Sequence, residues 1–130
     1  MTLQITALYG ALLGLIMIAL SFYVSSLRGK TGISIGDGGD MALQERMRRH
    51  GNFTEIVPMA VILMGLAEMQ GAGSGWLHCV GLLLVVGRLL HPLGLSATKI
   101  MSPLRMAGSI GTTLAVVISI VLILISVLGG

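Results

Sequence analysis

Charge is scarce in this sequence. Of its 130 residues only 10% are Asp, Glu, Lys or Arg, and residues 1 to 27 and 106 to 130 carry no charged side chain at all. Soluble globular domains hold about 25% charged residues, so composition alone excludes an ordinary soluble domain. Cysteine is almost missing as well. Cys79 stands alone, which excludes an intrachain disulfide and a multi-cysteine metal site, and the fold needs no oxidising compartment. Its neighbour His78 projects about 100° away on a helix, which argues against joint metal ligation, so no metal is expected. What fills the chain is apolar: 55% of residues are hydrophobic and the mean hydropathy is +0.97. This is the composition of a small integral membrane protein. The net charge is +3, but the basic residues sit beside apolar spans rather than on a solvated face, so nucleic acid is not an expected partner.

The apolar stretches predict an all-α fold, an integral membrane four-helix bundle forming a single domain over residues 1–130, with transmembrane helices at about 3–27, 40–68, 76–94 and 103–128. Ile5 to Val24 alone reaches the roughly 20 residues that a hydrocarbon core requires. A cleaved signal peptide fits poorly there, because the run is too long and has no basic segment before it. Arg28 and Lys30 mark the end of the first helix. The string Gly29-Lys30-Thr31 resembles the end of a phosphate-binding loop, but Val24 occupies the position where that motif needs its first glycine. Asp40 is a plausible N-cap for the second helix, and Ser102 followed by Pro103 for the fourth. Pro58 should kink the second helix, and Pro92 should break the third.

The few ionisable groups are concentrated. Glu45, Arg46, Arg48, Arg49, His50 and Glu55 fall within eleven residues. Only Ile56 to Ala67, twelve residues, is a clean apolar run in that helix, so it reaches membrane thickness only if its ionisable half is partly embedded. At about 100° per residue, Arg48, Asn52 and Glu55 share one face about 60° wide. That face offers a cation, an amide and an anion. Arg46, Arg49 and Phe53 form a second stripe, expected to be free for headgroups or another subunit. Arg88 and His91, at i and i+3, share a face of the third helix, and Arg105 falls in the first turn of the fourth. A charge at mid-membrane costs at least about 2.5–3.5 kcal/mol, and such groups generally mark a pathway or a binding site. All of these groups lie at the same end of their helices and can converge with Arg28. The competing reading makes them structural pairs, Arg48 with Glu55 and Arg88 with a carbonyl, holding helices in register. All eight Lys and Arg residues lie on or near one side of the membrane, which by the positive-inside rule is cytoplasmic, with both termini outside.

Arg48-Arg49-His50-Gly51-Asn52-Phe53-Thr54-Glu55-Ile56-Val57-Pro58, followed by an apolar run and Glu68, resembles the signature of the MAPEG family, membrane-associated proteins in eicosanoid and glutathione metabolism. Gly87-Arg88-Leu89-Leu90-His91 and then Arg105 resemble the family's third-helix and fourth-helix pattern, so the chain is similar, along its whole length, to a bacterial-type relative of the microsomal glutathione transferases. The resemblance implies a homotrimer in the bacterial inner membrane, with glutathione as co-substrate held between neighbouring subunits near the cytoplasmic face. It implies glutathione binding by Arg28, Arg48, His50, Asn52, Glu55, Arg88 and His91, and a catalytic Arg105 that stabilises the thiolate. The chain departs from the pattern in one place: where the eukaryotic synthases carry a tyrosine beyond the third-helix motif, it has Pro92-Leu93-Gly94-Leu95.

Glutathione carries two carboxylates, an ammonium and a thiol, and so calls for several guanidinium groups, one acid and a thiolate stabiliser. The expectation is a glutathione transferase or peroxidase acting on a small hydrophobic electrophile or lipid hydroperoxide that enters from membrane lipid. The alternatives are a non-catalytic lipid- or thiol-binding membrane protein of the same fold and a small ion-coupled transporter. The last would need a polar track through the full thickness, and the termini side of the sequence offers none.

Overall fold

The computed structural model describes residues 2–129 as four helices, α1 (Gln4–Thr31), α2 (Met41–Met69), α3 (Ser74–Gly94) and α4 (Pro103–Leu128), with no strand among the described residues. Each is long and apolar enough to cross a membrane. At about 1.5 Å per residue, even α3 reaches roughly the thickness of a hydrocarbon core.

The helix ends follow local chemistry. Asp40 accepts a hydrogen bond from the Leu43 N–H at 2.9 Å, and Ser102 accepts one from the Arg105 N–H at 3.2 Å, so both expected N-caps are in place. The first helix does not stop at the charges of Arg28 and Lys30. It continues to Thr31, where Gly32 adopts φ 73° and donates its N–H to the Arg28 carbonyl at 2.9 Å. A left-handed glycine terminates a helix by satisfying an orphan carbonyl, whereas a cation near the C-terminus complements the dipole and favours continuation. Pro92 does not break α3, which runs two residues further to Gly94.

No side chain of its own segment caps α1. Glu68, at the far end of α2, does so instead: its two carboxylate oxygens accept the Ile5 and Thr6 N–H groups at 3.0 and 2.8 Å. A carboxylate there satisfies two orphan donors and meets the positive end of the helix dipole. Beside it, the Tyr9 hydroxyl and His78 Nδ1 are 3.0 Å apart, linking α1 to α3.

The core is a thin seam of Tyr9, Leu13, Phe53, Val57, Met64 and Leu84 with smaller neighbours. Large apolar side chains such as Phe22 and Leu93, both 71% exposed, cover the outside, as expected where lipid rather than water is the solvent. The closest approach is between α3 and α4. A methyl group on Gly108 would lie 2.6 Å from the Gly87 carbonyl and 2.7 Å from the His91 nitrogen, so only glycine permits the two backbones to meet there.

The expectation of a free second stripe on α2 is corrected. Phe53 is buried in the seam. Arg46 donates to the Tyr23 carbonyl at 2.7 Å and covers the Tyr23 ring, and Arg49 donates to the Leu95 carbonyl at 2.8 Å. Both arginines are engaged within the subunit because α1, through the Tyr23 carbonyl and ring, and the α3–α4 loop, through the Leu95 carbonyl, each pack acceptors against α2.

Candidate functional site

The α2 face that periodicity singles out forms one wall of a groove at the loop end of the bundle. Gln44, Glu45, Arg48 and Asn52 from α2, Arg105 from the first turn of α4, and Leu95 from the α3–α4 loop line a space of about 200 Å³. The capped N-terminus of α4 fixes where Arg105 begins, and its Nη1 steadies the loop by donating to the Ile100 carbonyl at 2.8 Å. Ser102 also donates to the Gly94 carbonyl at 2.7 Å, tying the end of α3 to the start of α4.

Glu55 stands beside this wall and pairs with Arg48 at 3.1 Å, both side chains 56% exposed. An exposed pair contributes only about 0.2–1 kcal/mol, so a charged ligand can open it without unfolding anything. Glu45 is more deeply held: it accepts the Ala97 N–H at 2.6 Å and pairs with Arg49 at 3.5 Å. Its i, i+4 relation to Arg49 is readable in the sequence, but its contact with a loop 52 positions away is not. The groove therefore presents guanidinium and amide groups, with its nearby carboxylates already paired.

Arg88 lies behind the groove rather than lining it. It is 1% exposed, and its Nη1 donates to Asn52 Oδ1 at 2.8 Å while Nη2 donates to the Gly108 carbonyl at 3.2 Å. One guanidinium thus joins α2, α3 and α4. His91 is 3% exposed and buried where Gly108 meets α3. Arg28 turns into the α1–α2 loop, donating to the Ile33 and Gly36 carbonyls at 3.0 and 2.9 Å. His50 lines a separate space of about 340 Å³ with Phe22 and Ser25 on the α1 side. Within the subunit, then, the structure brings together Arg48, Asn52 and Arg105, with Glu55 adjacent and Arg88 in support. Arg28, His50 and His91 lie outside this groove. No group of three or more His, Cys, Asp or Glu residues able to hold a metal occurs among the described residues.

Four membrane-spanning helices with a basic groove at one mouth of the bundle define a small integral membrane protein whose arginines and lysines gather at one rim. The MAPEG family model matches residues 6–125, and the chain belongs to that family. It is 41% identical over 91 residues, 70% of each chain, to the inner membrane protein YecN of Escherichia coli strain K12, and equally to YecN of E. coli O6:H1 strain CFT073. No solved structure matches it. The four apolar helices and the inner-membrane relatives fit an integral inner membrane protein.

Proposed function

We propose that the chain binds glutathione in the Arg48–Asn52–Arg105 groove and uses it as co-substrate, as a transferase or peroxidase acting on small hydrophobic electrophiles or lipid hydroperoxides. The observation that carries this reading is the convergence of two guanidinium groups from different helices, together with the Asn52 amide, on one open groove. Family membership supports it, because the MAPEG family includes glutathione transferases. Arg48 and Asn52 bind the tripeptide's carboxylate, Glu55 takes its ammonium, and Arg105 stabilises the thiolate. A free thiol has a pKa of about 8.5, and each unit by which a cation lowers it is worth about 1.36 kcal/mol. At the start of α4, Arg105 adds its charge to the positive end of a helix dipole. The thiolate sulfur then attacks an electrophilic carbon of a partner arriving from the bilayer, forming a C–S bond as the leaving group departs with its electron pair. With a hydroperoxide it attacks an oxygen instead, breaking the O–O bond to give an alcohol and a glutathione sulfenic acid that a second glutathione converts to the disulfide and water.

Pockets for small molecules measure about 300–1,000 Å³, and the groove holds about 200 Å³. A tripeptide needs a further wall, which a homotrimer supplies from the neighbouring subunit, with Arg28 and His50 as residues for that shared boundary. The clustering of Lys and Arg at this rim supports a cytoplasmic site with both termini outside. Leu95, apolar and in the groove wall, favours a second reading in which a thiol is bound without turnover, because the family's tyrosine hydroxyl is missing.

A charged hydrogen bond contributes about 1.5–3 kcal/mol, so Glu55→Gln is expected to weaken glutathione binding at least about tenfold. The fold should survive, since its exposed pair with Arg48 adds little. Calorimetry on the folded variant reads this; unaltered affinity removes Glu55 from the site.

A further inference from the structure

We infer that Arg88 is a positioning residue that fixes Asn52 as a hydrogen-bond donor, so that the inner end of the groove selects a carboxylate and rejects an ammonium. The geometry is independent of the ligand's identity; only the assignment of that carboxylate to glutathione rests on the proposed function.

Arginine has five donors and no acceptor. The amide atom of Asn52 that meets Arg88 Nη1 at 2.8 Å must therefore be the oxygen. Arg88 cannot leave, because it is 1% exposed and its second Nη is committed to the Gly108 carbonyl. Asn52 itself lines the groove, so the polar atom it has left to offer there is the amide nitrogen with two hydrogens. A free asparagine could turn over and present either end; this one is held to one polarity. Arg48 and Arg105 add only donors, and Glu45 is occupied by Ala97, Ser96 and Arg49. Apart from the Gln44 amide and the Ser96 hydroxyl, the polar side chains lining the groove are thus donors or already paired, which suits a group that only accepts. The same guanidinium holds α4 at Gly108, one turn beyond Arg105, and so positions the second cation as well.

Asn52→Asp separates positioning from mere structure. The new carboxylate keeps, and strengthens, the contact to Arg88, but turns an oxygen toward the groove, and like-charge juxtaposition costs several kcal/mol. The variant should melt at or above the wild-type temperature and bind glutathione at least about tenfold more weakly. Arg88→Lys, which remains donor-only, should preserve more of the affinity than Arg88→Gln, whose amide can accept as well as donate. A second readout needs neither a variant nor the tripeptide: the Asn52 side-chain NH2 resonances of the detergent-solubilised protein, identified by their loss in Asn52→Asp, are followed during titration with sodium acetate and with methylammonium chloride at matched ionic strength. Saturable movement with acetate alone upholds the inference, even if glutathione fails to bind and the proposed function falls. Resonances that ignore acetate, or follow methylammonium equally, overturn it. Glutathione binding equally well to wild type and Asn52→Asp also overturns it and removes Asn52 from the proposed site, while glutathione binding itself stands.

Discussion

Arg105→Ala is expected to leave a folded four-helix protein whose glutathione-dependent turnover of a generic electrophile falls about 100-fold or more, the scale on which removing one preorganised donor to a developing anion is felt. The fold should persist because Arg105 is partly exposed and its side chain bonds the Ile100 carbonyl in the α3–α4 loop, while the cap of α4 uses its backbone N–H and Ser102. Steady-state kinetics over a range of pH checks this. A cation that stabilises a thiolate acts on ionisation, so the variant should recover part of its rate as pH rises toward the ordinary thiol range. Full activity in the variant would show that the assigned role belongs elsewhere. A variant that binds glutathione normally, from a wild type that never turns over, would favour the thiol-binding reading that Leu95 supports.

A large effect on stability is expected from a single methyl group. In Gly108→Ala the added carbon would lie within 2.6–2.7 Å of the Gly87 carbonyl and the His91 backbone nitrogen. Neither can swing aside as a flexible side chain would, so α3 and α4 must separate. Overpacking of this kind costs about 1–3 kcal/mol, occasionally more. Separation would also stretch the Arg88 contact to Gly108 at 3.2 Å, so a loss at or above the top of that range is expected, read as a fall in the unfolding midpoint in detergent. Gly10→Ala is the control. Nothing lies within 4 Å of a methyl group there, and helix propensity favours alanine over glycine.

Much of the architecture was legible because it is local. The four spans follow from apolar runs, the caps at Asp40 and Ser102 from their spacing, and the Arg48, Asn52 and Glu55 face from a period of 3.6. The Arg48–Glu55 pair, readable on α2 alone, forms as that periodicity implies. What escaped the sequence is carried by contacts between distant positions. Arg88 reaches Asn52 and Gly108, 36 and 20 positions away, and Glu68 caps a helix more than 60 residues upstream. Periodicity places such residues on a face but does not say which neighbour that face meets. The same limit explains Arg46 and Arg49. Their stripe points away from the groove as the helical angle requires, yet the Tyr23 and Leu95 carbonyls that take them up belong to segments no local pattern connects. The end of α1 failed for a different reason: the charges at Arg28 and Lys30 resemble a boundary, but the chain stops where Gly32 can turn left-handed.

Titration calorimetry of the purified, detergent-solubilised wild-type protein with reduced glutathione probes the arginine groove most directly. Saturable binding that weakens as salt is raised is expected, since guanidinium groups at an open rim attract the tripeptide's carboxylates and are screened by ions. A flat trace at millimolar glutathione, from protein whose four helices are intact by circular dichroism, would contradict the proposed site.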